Sequence, residues 1–202
     1  PYLYTFIMTN AIQLFQRSSA ARYRLSILIP SWNNLAYLQL CLSSLRKHSS
    51  HYIQFIVIVN EGTDGTLDWV ASQTDVDYVY APENIGICYG LNSARPLVLA
   101  DYMVYANDDM YFLPNWDVAL LQQIEAIGHK HFMLSATMIE PHTSGNPCIV
   151  QADYGSNPTA FREQELLQQY QSLYRKDWNG STWPPNLVHR DLWDLVGGMS
   201  IE

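Results

Sequence analysis

Short apolar runs alternating with helix-length segments constrain this chain more than any other feature. Leu25-Ser-Ile-Leu-Ile29 is a β-type run that Pro30 is expected to end. Leu35, Leu38, Leu42 and Leu45 follow at helical spacing, with Asn33 or Asn34 placed to cap that helix. A second strand is predicted over His51 to Val59, where Gln54-Phe-Ile-Val-Ile-Val59 reads as one buried run. A third is predicted from Val76 to Ala81, a fourth from Asp101 to Ala106, and a fifth from His131 to Ile139. Helices are expected from about Leu67, from Asn84-Ile-Gly86 to about Arg95, and from Pro114-Asn-Trp116 through Ile127. This alternation predicts an α/β domain with a largely parallel sheet. Ligands in such sheets bind beyond the carboxyl ends of the strands. The polar motifs after strands one, two and four all fall there.

Composition sets the limits around that pattern. The 202 residues are 48% hydrophobic and 15% charged, enough apolar material for the core of one compact domain. A formal charge of −8 argues against a broad nucleic-acid surface. A nucleotide would need a local device: a metal ion, a backbone nest or a helix N-terminus. Cys41, Cys88 and Cys148 form neither a metal pair nor a disulfide framework, and fit free thiols in a reducing cytoplasm. No apolar run is long enough to serve as a transmembrane segment, and residues 1–24 read as a leader without the basic start of a signal peptide. Asn179-Gly180-Ser181 is a formal glycosylation sequon, of no consequence in a cytoplasmic protein. Beyond residue 140 the pattern loosens. Glu140 to Pro158 is expected to be loop with short strands, Phe161 to Lys176 a polar helix, Trp178 to Pro185 an aromatic loop, and Asp191 to Val196 a short helix ended by Gly197-Gly198.

Three motifs carry the chemistry. Asn107-Asp108-Asp109 places adjacent carboxylates at the end of an apolar strand. Their repulsion raises a pKa, and a hard divalent cation that also bridges a diphosphate relieves it. The plain alternative is a solvated Asp-rich turn. Asn60-Glu61-Gly62-Thr63-Asp64-Gly65 puts a carboxylate where it can accept the N–H of a pyrimidine, or is an ordinary turn. Asn84-Ile-Gly86 opens a helix whose exposed amides suit a phosphate, or is a capped turn. His189 is either a further metal ligand or a helix-start residue. Trp178 and Trp183 with Pro184-Pro185 form either an acceptor-sugar platform or a packed loop.

These segments, in this order, resemble family-2 glycosyltransferases. Ser26-Ile-Leu-Ile-Pro-Ser-Trp-Asn33 with Cys41-Leu-Ser-Ser-Leu45 looks like the family's opening, and Ile58-Val-Asn-Glu-Gly-Thr-Asp-Gly-Thr66 like its strand ending in paired acids. Glu83-Asn-Ile-Gly86 with Asn92 resembles its Asn-x-Gly segment. Asp101 to Met110 with Pro114 and Trp116 resembles its DxD region, and Leu187 to Gly198 its acceptor-side segment. The resemblance implies a GT-A fold, a Rossmann-like mostly parallel sheet with a less regular acceptor-side part. It divides the chain at about residue 114, with a nucleotide-binding part over about 25–114 and an acceptor-side part over about 115–202. It implies an inverting, hexosyl-type glycosyltransferase of polysaccharide biosynthesis that uses Mn²⁺ or Mg²⁺. The donor would be a nucleotide-diphosphate sugar, and the acceptor a sugar, a lipid-linked molecule or a protein, with no nucleic acid. The setting would be cytoplasmic, at most peripheral to the inner membrane face. By the same resemblance Pro30, Ser31 and Asn33 line the nucleotide pocket and Glu61 meets the base. Asn84 and Gly86 lie near the ribose or diphosphate, Asp108 joins the phosphate site, and Asp109 with Asn107 holds the metal.

Three departures qualify that reading. Asn60 and Glu61 stand where the family has two Asp, in a turn one residue shorter. Asn107 replaces the first Asp of DxD, which makes one ligand neutral. The family's base is an acidic residue downstream of the Gly-Gly segment, and the chain stops at Glu202, so the base is expected beyond it, with Asp191 and Asp194 as weak candidates. A domain that binds a nucleotide sugar without transferring it remains the alternative. A nucleotidyltransferase would need a Gly-rich basic loop where Pro30-Ser-Trp-Asn33 stands.

Overall fold

In the computed structural model, residues 12–19, 23–142, 145–146, 149–173 and 183–201 are described. Residues 1–11, Cys148, Trp178, the Asn179-Gly180-Ser181 sequon and Glu202 lie outside them. The elements run β1 (Gln13–Phe15), β2 (Leu25–Trp32), α1 (Leu35–His48), β3 (Ile53–Asn60), α2 (Thr66–Ser72), β4 (Val76–Ala81), α3 (Ile87–Ala94) and β5 (Tyr102–Tyr105). There follow α4 (Trp116–Ile127), β6 (Met133–Ser135), β7 (Met138–Glu140), β8 (Ile149–Gln151), α5 (Glu163–Gln169), β9 (Asn186–His189) and α6 (Arg190–Val196). Seven strands form one sheet in the order β1-β4-β3-β2-β5-β9-β6, and β7 pairs with β8 separately. The inner pairs β4-β3, β3-β2 and β2-β5 are parallel.

Those inner strands are buried on both faces, which is why they read as continuous apolar runs. Ile27, Ile29, Val57 and Val59 pack with Leu38, Leu42, Leu45 and Val70 of α1 and α2 and with Leu120 and Leu121 of α4. Leu28, Ile56, Ile58 and Val79 face Leu91 and Ala94 of α3 and Trp193 of α6. Gly90 lets α3 settle close on the sheet, since a Cβ there would stand 3.0 Å from Ile58 Cγ2.

A buried polar network crosses the second of these faces. Ser26, Gln54 and Asp77 are each at most 1% exposed. The Ser26 hydroxyl donates to Gln54 Oε1, which also accepts from Leu99 N at 2.9 Å. Gln54 Nε2 donates to Asp77 at 2.6 Å and to the Leu97 carbonyl at 2.8 Å. Asp77 also accepts from the backbone N–H of Arg17 and of Ser18, which anchors β1. Every polar side-chain atom of Gln54 is satisfied, as burial at this depth requires.

Several expectations are corrected here. Pro30 does not end the first strand but pairs with Ile58 inside it. Leu28 O accepts from Ala106 N, so Pro30, two residues on, turns its missing N–H toward β5 just where that pairing stops at Leu28↔Tyr105. The expected fifth strand is two, β6 and β7, which belong to different sheets. Antiparallel β9 inserts between β5 and β6 from 51 residues downstream of Ser135, a pairing that no local pattern announces. The leader segment contributes β1, antiparallel to β4, so the sheet extends to Gln13. No helix among the described residues is long and apolar enough to cross a membrane.

Candidate active site

Strand order reverses between β3-β2 and β5, and a cleft of about 540 Å³ opens at the carboxyl ends of these strands. β2 supplies Pro30, Ser31 and Trp32, with Asn34 just beyond, and β3 supplies Asn60. Asn84, Gly86, Ile87 and Cys88 come from the entry to α3, and Asn107, Asp108 and Asp109 from the end of β5. Seven of the residues singled out from the sequence thus meet in one cavity.

Asn33 and Glu61 stand at its rim instead. Both adopt left-handed backbone, φ 49° and 61°, which turns their side chains away from the strand alternation and toward each other. Asn33 Nδ2 donates to Glu61 Oε2 at 3.1 Å, and Asn33 Oδ1 accepts from Thr63 N at 2.8 Å. At this level the cleft is reached by Asn60. The expected capping of α1 by Asn33 or Asn34 gives way to a cap from another loop: Asp64 accepts from Leu35 N at 2.9 Å. Burial pushes the Asp64 carboxyl up, but hydrogen bonds from the Thr66 hydroxyl and from the Leu35 and Thr66 amides outweigh it and leave the pKa low.

The acidic turn is held from below by α1. The Cys41 thiol donates to the Asn107 carbonyl at 3.8 Å, and the Ser44 hydroxyl accepts from Phe112 N at 2.9 Å. Burial, then the charges of Asp108 and Asp109, keep Cys41 a neutral thiol. Asn34 Nδ2 donates to Asp108 Oδ1 at 3.0 Å. Desolvation raises the Asp108 pKa and the Asp109 charge adds to it, while Ser31 and Asn34 oppose the rise. The Ser31 hydroxyl lies beside Asp108 without reaching full hydrogen-bond geometry. It is the one enclosed side-chain polar atom among the described residues with no partner. Tyr105 donates to Asn107 Oδ1 at 2.7 Å, which leaves the amide nitrogen as the unengaged end of Asn107.

At the α3 entry, Asn84 Oδ1 accepts from Gly86 N at 2.9 Å, and no side chain caps the helix. The first-turn amides at Ile87 and Cys88 therefore open toward the cleft, an arrangement that favours anions.

The remaining candidates lie elsewhere. β9 runs antiparallel to β5 with His189 opposite Tyr102, so Asp191 sits at the end of β5 away from the cleft, paired with Lys130 at 2.6 Å. Asp194 is held by Arg95 through two hydrogen bonds of 2.8 and 2.6 Å. His189 Nδ1 accepts from Asp191 N as the cap of α6, which is the helix-start alternative. Trp183 is 44% exposed and its backbone N–H donates to Ser135 Oγ.

Trp32, Asn34, Ile87 and Cys88 were not singled out as site residues from sequence. For Trp32 the signal was its place, a large ring closing a buried apolar run, and the structure leaves that ring 57% exposed at the strand's end.

The family model described as glycosyl transferase family 2 matches residues 26–179. No curated protein matches the sequence. Among solved structures the chain is similar to TarS 1-349 of S. aureus, at 14% identity and a TM-score of 0.61, over 86% of this chain and 49% of that one. The same segment in complex with UDP-GlcNAc gives 15% identity and a TM-score of 0.60, over 86% and 47%. The mannosyltransferase PcManGT of Pyrobaculum calidifontis, in complex with GDP-Man and Mn²⁺, gives 16% and 0.58, over 91% and 49%. The likeness at these identities is one of fold, the GT-A arrangement, and the chain spans about half the length of those proteins.

Proposed function

This chain belongs to glycosyl transferase family 2, and on that premise we propose that it transfers a sugar from a nucleoside-diphosphate sugar to an acceptor hydroxyl, with inversion and with a divalent cation. The single observation that carries this reading is the convergence, in one cleft, of the Asp108–Asp109 carboxylates and the uncapped α3 N-terminus. The Asp pair repels itself and favours a cation. The helix amides favour an anion. A diphosphate bound through a cation satisfies both.

The donor set fits such an ion. Asp108 and Asp109 are hard oxygen ligands, and a positive charge beside them relieves the raised Asp108 pKa. No group of three or more His, Cys, Asp or Glu among the described residues could hold a metal ion, so donor phosphate oxygens and water would complete the shell. When bound, the cation supplies charge neutralisation at the departing diphosphate. In this reading Trp32 offers a face for the base, the Ile87 and Cys88 amides hold phosphate oxygens, and Ser31 gains in the ligand the partner it lacks. The acceptor hydroxyl gives its proton to a base as its oxygen attacks the anomeric carbon opposite the diphosphate; the glycosidic bond forms as the bond from that carbon to the phosphate oxygen breaks, and the nucleoside diphosphate leaves with the electron pair.

One observation favours a second reading, donor binding without transfer. The only carboxylates lining the cleft among the described residues are Asp108 and Asp109, which the cation would occupy, so no separate base faces it. A thermal-shift screen of UDP, GDP, dTDP and CDP, with and without Mn²⁺ or Mg²⁺, tests the shared premise. A ligand bound to the folded state at a hundredfold excess over its dissociation constant adds about 2.7 kcal/mol. We expect a cation-dependent shift that Asp109→Ala abolishes without lowering the ligand-free melting temperature. Product formation with the matching nucleotide sugar then separates transfer from binding. A shift that persists in Asp109→Ala sinks the cation site.

A further inference from the structure

We propose that Asn60 makes the cleft select a base that presents an unprotonated ring nitrogen, as cytosine N3 and adenine N1 do, over one that presents a ring N–H, as uracil and guanine do. This rests on the nucleoside-diphosphate reading of the same cleft.

Trp32 and Asn60 are register partners on adjacent parallel strands, so their side chains share the α3 face of the sheet. Both line the cleft. An exposed indole face beside a polar side chain is the pairing a flat heteroaromatic ring requires: one group stacks on it and the other reads its edge.

The polarity of the reading group is fixed from within the protein. Asn60 Oδ1 accepts from Ile85 N at 3.2 Å. That bond commits the carbonyl end of the amide to the α3 entry loop and turns Nδ2 the other way. Asn60 is 3% exposed, and Nδ2 donates to no described residue. An enclosed side-chain nitrogen without a partner would stand beside Ser31 Oγ as a second orphan, and there is none, so the small exposed part of Asn60 includes Nδ2, at the cleft wall. Rotating the amide to offer oxygen instead would set its NH₂ against the Ile85 N–H, donor against donor. The wall therefore presents a donor: set against the ring nitrogen it pairs with cytosine N3 or adenine N1, whereas uracil or guanine must shift along its edge to bring a carbonyl oxygen to it or leave two donors unpaired. An aspartate at the same position would keep one oxygen for Ile85 N and offer the other to the cleft, which reverses the polarity.

The test is calorimetric titration of the full chain with CDP, ADP, UDP and GDP in the presence of Mg²⁺, repeated on Asn60→Asp. We expect CDP or ADP to bind at least tenfold more tightly than UDP and GDP to the native chain. We expect Asn60→Asp, with an unchanged melting temperature, to reverse that order in favour of UDP or GDP. UDP or GDP binding as tightly as CDP and ADP to the native chain overturns the inference and leaves the nucleotide-sugar reading standing. The inference also falls if Asn60→Asp folds but keeps the native order. Binding of no nucleoside diphosphate overturns both.

Discussion

The part of the molecule from β2 to β5 and the part from β6 to α6 are held by different means. All eight residues of β3 are buried, as are seven of the eight in β2, and their partners are adjacent parallel strands. In the later part β6 and β7 contain no buried residue, and α5 buries Leu166 alone. Within that part β9 and α6 are seated on the sheet by the pairing with β5 and by buried Leu187, Val188 and Trp193, and the other ties are surface ion pairs: Arg190–Asp101, Arg95–Asp194 and Lys47–Glu163. Exposed pairs contribute roughly 0–1 kcal/mol each, whereas a fully buried aliphatic side chain contributes about 1.5–3 kcal/mol. The poorly buried stretches of the later part, β6, β7 and α5, should thus open at a lower free energy than the inner strands.

The sharpest way to break that contrast is at the joint. Asp117, fully buried at the start of α4, accepts from Ser50 N, His51 N and His51 Nδ1. Asp117→Ala strands those donors, and urea unfolding is expected to show a loss of about 3–5 kcal/mol. Next come matched truncations. Ile58→Ala in the sheet should cost roughly 2–5 kcal/mol, and Leu166→Ala about 1–2 kcal/mol, the latter visible in hydrogen exchange as opening of α5 alone. Equal costs would erase the distinction between the parts.

A third change addresses the cleft, which belongs to the first part. Asn107→Asp adds a charged oxygen beside Asp108 and Asp109 and should tighten Mn²⁺ about tenfold, a gain of ~1.4 kcal/mol, read by metal titration. No tightening would mean that position 107 stays outside the ion's shell. Arg95→Ala, which frees Asp194, should cost at most about 1 kcal/mol in thermal unfolding.

The smallest effect is a pH dependence at the α5 contact. Hydrogen bonds from Lys47 and Tyr111 hold the Glu163 carboxyl below its ordinary pKa, against burial, with His48 bonded to Tyr111 behind them. A lowered carboxyl pKa stabilises the fold above its unfolded value, and the gain is lost as pH falls through the folded one. Melting temperatures of the native chain and Glu163→Gln should therefore differ near neutrality and converge below about pH 4, the ordinary glutamate value.

The same contrast explains what could be read from sequence. β2, β3, β4 and β5 were legible because strands covered on both faces need apolar residues throughout. The four residues of β9 and three of β6 carry no such signature, and their pairing is decided by tertiary contacts. In the cleft, Asn107-Asp108-Asp109 and Asn84-Ile-Gly86 were placed by their positions after a strand and before a helix. That Asn60 and not Glu61 faces inward depends on a left-handed φ at 61, and a non-glycine residue does not declare that in advance. The Tyr105–Asn107 bond was within reach for a chain that stays extended just past β5, since residues two apart then share a face.

The crossbar of Ser26, Gln54 and Asp77 has a consequence for how this sequence can drift. Each member satisfies the others, so replacing any one alone strands a buried donor or acceptor. Replacing all three by apolar residues of similar volume removes the demand together with the supply, as far as the backbone groups they also serve allow. Viable descendants should accordingly cross from the polar to the apolar set in a single concerted jump or not at all. The three codons, 51 positions apart at their extremes, would be inherited as one character.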